Sequence, residues 1–137
     1  MATSKQLVQV GVAELPSFCS SLLSKGFRLF VMDAPASPSD FFLRATTNFP
    51  LNPPINGFGS GEGINWDALT DSIWGGLDAC PETKIALVVR DIRALRDTDE
   101  AGFSDAIESM LDPAVQVSES KFNDEHVTSV ILVVVGV

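Results

Sequence analysis

The chain reads as an α/β domain, a small parallel β-sheet flanked by helices. Three observations predict this. Strand-like and helix-like stretches alternate along the 137 residues, the pattern of a parallel sheet joined by helical crossovers. The later strand candidates, Ile85 to Val89 and Val130 to Val135, are unbroken apolar runs, as expected of strands covered on both faces. A composition of 45% hydrophobic and 20% charged residues belongs to a chain with a core and not to a disordered one.

Taken in order, Gln6 to Val12 alternates loosely and suits a short strand. Leu15 to Lys25 brings Leu15, Phe18, Leu22 and Leu23 near helical spacing and closes at Gly26. Phe27 to Asp33 is a stronger strand candidate, and the turn PASP follows it. Ser39 is placed to cap a helix running to about Thr47, with Phe41, Phe42 and Ala45 facing the core. Asn48 to Ser60 holds Pro50, Pro53, Pro54, Gly57 and Gly59, and a loop of that length usually means function or disorder.

Next comes GFGSGEGINWDALTDSIWGG, Gly57 to Gly76, the most informative stretch of the chain. Asn65 is a natural N-cap, because its side-chain oxygen can accept from the free amides of the first turn. Trp66, Leu69 and Ile73 form one stripe that should be buried. Asp67, Asp71 and Trp74 fall on another face. Gly75 and Gly76 are read as a left-handed stop, giving a helix of about ten residues.

Lys84 to Asp91 is the next strand. Asp97 followed by Glu100 resembles a capping box opening a helix to about Leu111, which ends before Pro113 and buries Ala106, Ile107, Met110 and Leu111. Val127 to Val135 is the last strand. The length suits one domain, with residues 1–26 an N-terminal strand and helix packed on the domain formed by residues 27–137. Whether that extension lengthens the sheet, covers an edge strand or makes a dimer contact is left open by the sequence.

Charge narrows the function. A net charge of -9 and a pI near 4.3 argue against nucleic acid or an anionic membrane as direct ligand. From Ala45 to Thr83 there is no Lys or Arg, while Glu62, Asp67, Asp71, Asp78 and Glu82 are acidic. A one-signed region steers a basic partner. Asp67 alone is explained by the helix dipole in the first turn; Asp71 lies past that turn and otherwise reads as a solvated residue.

Catalytic signatures are sparse. His126 stands alone, and there is no HExxH, GxSxG or CxxC pattern. Asp67 and Asp71 as an acid/base pair would need burial to split their titrations, and the sequence gives no sign of it. The glycine loop lacks the Walker lysine and the dinucleotide spacing, and Glu62 and Asp67 would repel a phosphate. The expectation is a non-enzyme without cofactor or metal. Cys19 and Cys80 read as free thiols in a reducing cytosol. MATSKQLVQV lacks a signal-peptide pattern, and no apolar run approaches bilayer length, so a cytoplasmic location is expected.

Gly63 and Asn65-Trp66-Asp67-Ala68-Leu69-Thr70-Asp71 resemble the loop-and-helix pattern of the barstar family, Tyr/Phe-Gly-x-Asn-x-Asp-Ala-Leu-x-Asp. The order of elements from Phe27 to Val137 is similar too. The resemblance implies a barstar-like fold and an intracellular inhibitor, or immunity protein, that plugs the active site of a basic ribonuclease or nuclease toxin. It implies Asp71 as the central acidic contact, standing where substrate phosphate would, and Asp67 as the second. Glu62, Gly63, Asn65, Trp66, Thr70, Trp74 and Gly75 would line the same contact, with Asp112 contributing from the later helix. The chain departs from the pattern at Gly61 and Glu62, where the family has an aromatic pair that Phe58 would have to replace, and at Ile64, where a polar residue is usual. An alternative is a barstar-like interaction or regulatory module with a non-nuclease partner.

Overall fold

Among the described residues four short strands, all parallel, hydrogen-bond in the order β1-β4-β3-β2. The computed structural model describes residues 6–55, 64–120 and 129–136. In chain order these hold β1 (Leu7–Val10), a 3-10 turn (Val12–Glu14), α1 (Leu15–Ser24), β2 (Arg28–Met32), α2 (Pro38–Asn48), α3 (Trp66–Ala79), β3 (Lys84–Val89), α4 (Arg93–Thr98), α5 (Glu100–Ser120) and β4 (Ser129–Val135). The α/β class and the small helix-flanked parallel sheet are as the alternation of patterns predicts.

The two central strands explain why helices lie on both faces. Along β3, Ile85, Leu87 and Val89 enter one cluster, while Ala86 and Val88 enter another. Val130, Leu132 and Val134 of β4 join the first, and Val133 and Val135 join the second. This is the period of two expected of a pleated strand. Phe41 and Phe42 of α2, Leu69 and Ile73 of α3, and Ala106, Met110, Ala114 and Val117 of α5 complete the larger cluster. Leu15 and Leu22 of α1 complete the smaller.

Topology and handedness agree with that division. The connections β2 to β3 and β3 to β4 step across the sheet in one direction, whereas β1 to β2 crosses it in the other. Crossovers of a single hand must then put α1 on the face opposite α2, α3 and α5. The N-terminal segment thus supplies the fourth strand and the cover for the second face.

Four local expectations need correction. The cap of α2 is Ser37, whose hydroxyl accepts from the Asp40 amide at 3.1 Å, and not Ser39. The later helical region is two helices, and α5 is opened by Asp99, whose carboxylate accepts from the Gly102 amide at 2.9 Å, and not by Asp97. α5 also runs through Pro113 to Ser120. A proline inside a helix forfeits one hydrogen bond and crowds the preceding turn. Here Met110, Ala114 and Val117, buried on the sheet to either side of it, outweigh that cost, and the Ser118 hydroxyl accepts from the Val130 amide of β4 at 3.1 Å.

The fourth correction concerns the site. α3 is 14 residues long and passes through Gly75 and Gly76 without stopping. A Cβ on Gly75 would strike the Asn52 carbonyl, and one on Gly76 the Pro50 carbonyl. The glycines let the segment after α2 lie directly on the helix, where the Asn52 amide donates to the Ser72 carbonyl at 2.9 Å. Gly76→Ala tests this with a definite sign. Alanine in a free helix would stabilise by about 1 kcal/mol. Overpacking here should instead destabilise by about 1–3 kcal/mol, read as a lowered urea midpoint with unchanged slope.

Candidate functional site: the exposed face of α3

α3 begins where the sequence places it. The Asn65 side-chain oxygen accepts from the Ala68 amide at 3.0 Å, satisfying one of the free donors of the first turn. Leu69, Ile73 and Leu77 then turn fully inward, with Ser72 and Gly76 buried beside them. Trp66 sits half-buried, its ring 6.1 Å from Phe41 and 6.0 Å from Phe42. The Thr70 hydroxyl donates to the Trp66 carbonyl at 3.0 Å, so it serves its own helix.

The opposite face carries the charge. Asp67 and Asp71 are exposed, and Trp74 is 38% exposed one turn further on. Among the described residues neither aspartate enters an ion pair. The arginines are engaged elsewhere. Arg28 pairs with Glu82, Arg44 with Asp40, Arg90 with Asp33, Arg93 with Asp91 and Arg96 with Asp97. These are all five arginines of the chain. The Lys84 ammonium donates to the Lys25 carbonyl at 2.9 Å.

The remaining candidates divide. Asn65, Trp66, Asp67, Thr70, Asp71, Trp74 and Gly75 are united by α3 or its cap, but only Asp67, Asp71 and Trp74 form the exposed face. Gly75 turns its Cα toward Asn52. Asp112 is exposed on α5, the helix packed along α3. Glu62, Gly63, Phe58 and His126 lie outside the described residues. No group of three or more His, Cys, Asp or Glu is placed to hold a metal ion among the described residues. No helix there is long and apolar enough to cross a membrane. Cys19 and Cys80 are free, and burial pushes the Cys80 thiol up.

Two structural carboxylates are held below their ordinary range. The Ala36 amide and then the Arg44 guanidinium stabilise ionised Asp40, and Arg93 does the same for Asp91. Sequence reasoning found neither, because Asp40 depends on a loop folding back over the start of α2 and Asp91 on the turn after β3. No family model, curated protein or solved structure matches the chain.

Two predictions follow from this geometry. Asn65→Ala should remove the cap and cost about 1 kcal/mol of stability, measured by denaturant unfolding. The second concerns acid. A lowered folded-state pKa contributes stability that is present above the unfolded value and lost as pH falls through the folded one. Unfolding temperature should therefore drop as pH descends below about 4, and Asp40→Asn should flatten that drop while lowering stability at neutral pH.

Proposed function

We propose that this protein inhibits a basic ribonuclease or nuclease toxin by laying the exposed face of α3, with the loop before it, into the enzyme's active site. One observation carries the reading. Asp67 and Asp71 project from a capped, packed helix, and every arginine of the chain is spent on some other carboxylate. The charge on this face is available to a partner.

The chemistry of such a target is complementary. A nuclease site gathers cationic and hydrogen-bonding groups to hold phosphates and to stabilise negative charge as it develops. Carboxylates already fixed on a rigid helix occupy those groups with little ordering cost on association. Asp71, past the capped first turn and near the middle of the exposed face, would take the place of the phosphate. Asp67 would supply the second contact, Trp74 apolar area beside them, and Asp112 a further contact from α5. Opposite fields across the gap would also speed encounter, which matters when a toxic enzyme must be caught quickly. In this reading the protein performs no chemistry and acts inside the cell that makes the nuclease.

The test takes any basic nuclease encoded beside the gene, with binding followed by calorimetry and inhibition by RNA or DNA cleavage. Asp71→Ala should weaken the complex by about 2–5 kcal/mol, as loss of one member of a desolvated charge pair does. Raised salt should slow association by the wild-type protein. An affinity indifferent to both the substitution and ionic strength would refute the proposal. Failure to bind any such nuclease would favour the second reading, an interaction module with a partner of another kind.

A further inference from the structure

The edge strand β1 presents the features of a strand waiting for a neighbour. Its inner side is settled: the Gln6 carbonyl accepts from the Leu132 amide and the Val10 carbonyl from the Gly136 amide, within the parallel register of Leu7 with Leu132 through Val10 with Val135. Alternate residues of a parallel strand direct their backbone groups to alternate sides. The amides and carbonyls of Leu7 and Gln9 therefore point outward, and no strand lies beyond them among the described residues.

Both faces beside that edge are hollowed. On the face of the larger cluster, Leu7 and Gln9 meet Phe103, Ile107 and Leu111 of α5. Those three are four residues apart, a half-buried stripe on the flank of the helix. On the other face, Val8 and Val10 meet Ala13 and Phe18. Gln9 borders both hollows. A strand added to the edge would send its side chains alternately into the two.

Edges of this kind are usually blunted with charge, proline or a bulge. At four residues β1 is short, which itself limits pairing, but LVQV carries no charge or proline and its register with β4 is unbroken, in a chain with net charge -9.

We infer that β1 pairs antiparallel with β1 of a second copy, joining two four-stranded sheets into one across a two-fold axis. The register is self-complementary. Centring the axis between Val8 and its symmetry mate sets Leu7 of each copy opposite Gln9 of the other. Each outward amide then meets an outward carbonyl. A two-fold interface of this type needs the same patch on both sides, and the strand with its two hollows is such a patch. The α5 stripes would flank the seam from one face. A second copy is the occupant this register fits, because its LVQV strand brings apolar side chains to hollows lined by Leu7, Phe103 and Ile107 on one face and Val8, Val10 and Phe18 on the other, and adds no negative charge beside Glu108 and Glu14. The inference does not involve α3 and stands or falls separately from the inhibitor reading.

Sedimentation equilibrium of the full chain over a concentration series tests it, with circular dichroism as the control for folding. Wild type should move from 14.6 kDa toward twice that mass as concentration rises. Added salt should favour the heavier species, because it screens repulsion between two acidic bodies; association through α3 with a basic partner responds oppositely. Gln9→Pro removes an outward amide while leaving the β4 ladder intact, and should weaken self-association by at least about tenfold. Gln9→Glu keeps the shape and adds like charge near the axis, so it should weaken self-association in a salt-dependent way even if the proline variant misfolds. A wild-type mass that stays monomeric at every concentration would overturn the inference. So would dimers untouched by Gln9→Glu and by a folded Gln9→Pro.

Discussion

A parallel strand buried on both faces must be covered by helices on both, and β3 and β4 are such strands. Every residue from Ile85 to Val89 is buried, and only Ile131 of the run from Val130 to Val135 is not fully so. In water those ten or so side chains would each forfeit about 1–3 kcal/mol of burial. The sheet therefore recruits α1 to one side and α2, α3 and α5 to the other. The single hand of the crossovers turns that requirement into one strand order. Without β1 and α1, Ala86, Val88, Val133 and Val135 would face solvent. The N-terminal segment is thus part of the fold's foundation.

The same demand fixes how α3 is presented. Its inner stripe is consumed by the core, and its flank is pinned by the chain at Pro50 and Asn52 lying on Gly76 and Gly75. Trp66 wedges its leading turn against Phe41 and Phe42. A helix held on two sides cannot roll, so the remaining side is constant in composition and direction. That side carries Asp67, Asp71 and Trp74. Rigidity here is a consequence of packing on residues remote from the carboxylates.

The strands were legible because their patterns are redundant. Ile85 to Val89 and Val130 to Val135 admit few other interpretations, and the Asn65 cap has a local cause that acts as soon as the first turn forms. Signals whose meaning depends on a distant partner were misread. A Gly-Gly pair looks the same whether it ends a helix or admits a neighbouring chain, and only the position of Pro50 and Asn52 distinguishes the two. Pro113 is a local breaker overruled by Met110, Ala114 and Val117 against β4. Ser37 for Ser39, and Asp99 for Asp97, are shifts of two residues between equally plausible caps. The exposed face of α3 was readable, since period and polarity specify it, whereas the engagement of each arginine could be seen only in three dimensions.

That engagement bears on why the acidic face persists. Two carboxylates one turn apart on a helix repel by a few tenths of a kcal/mol, and a net charge of -9 adds self-repulsion to the compact state. An arginine one turn from Asp71 would relieve both. The chain has five and places each against a different carboxylate, including Asp40 and Asp91, which anchor turns. Ser72 and Gly76 lie buried on the same helix, so α3 is closely fitted everywhere except in its electrostatics. Where one local rule is broken while its neighbours are obeyed, the exception is expected to serve something other than folding. For α3 the proposed answer is a positively charged partner, the complement of Asp67 and Asp71.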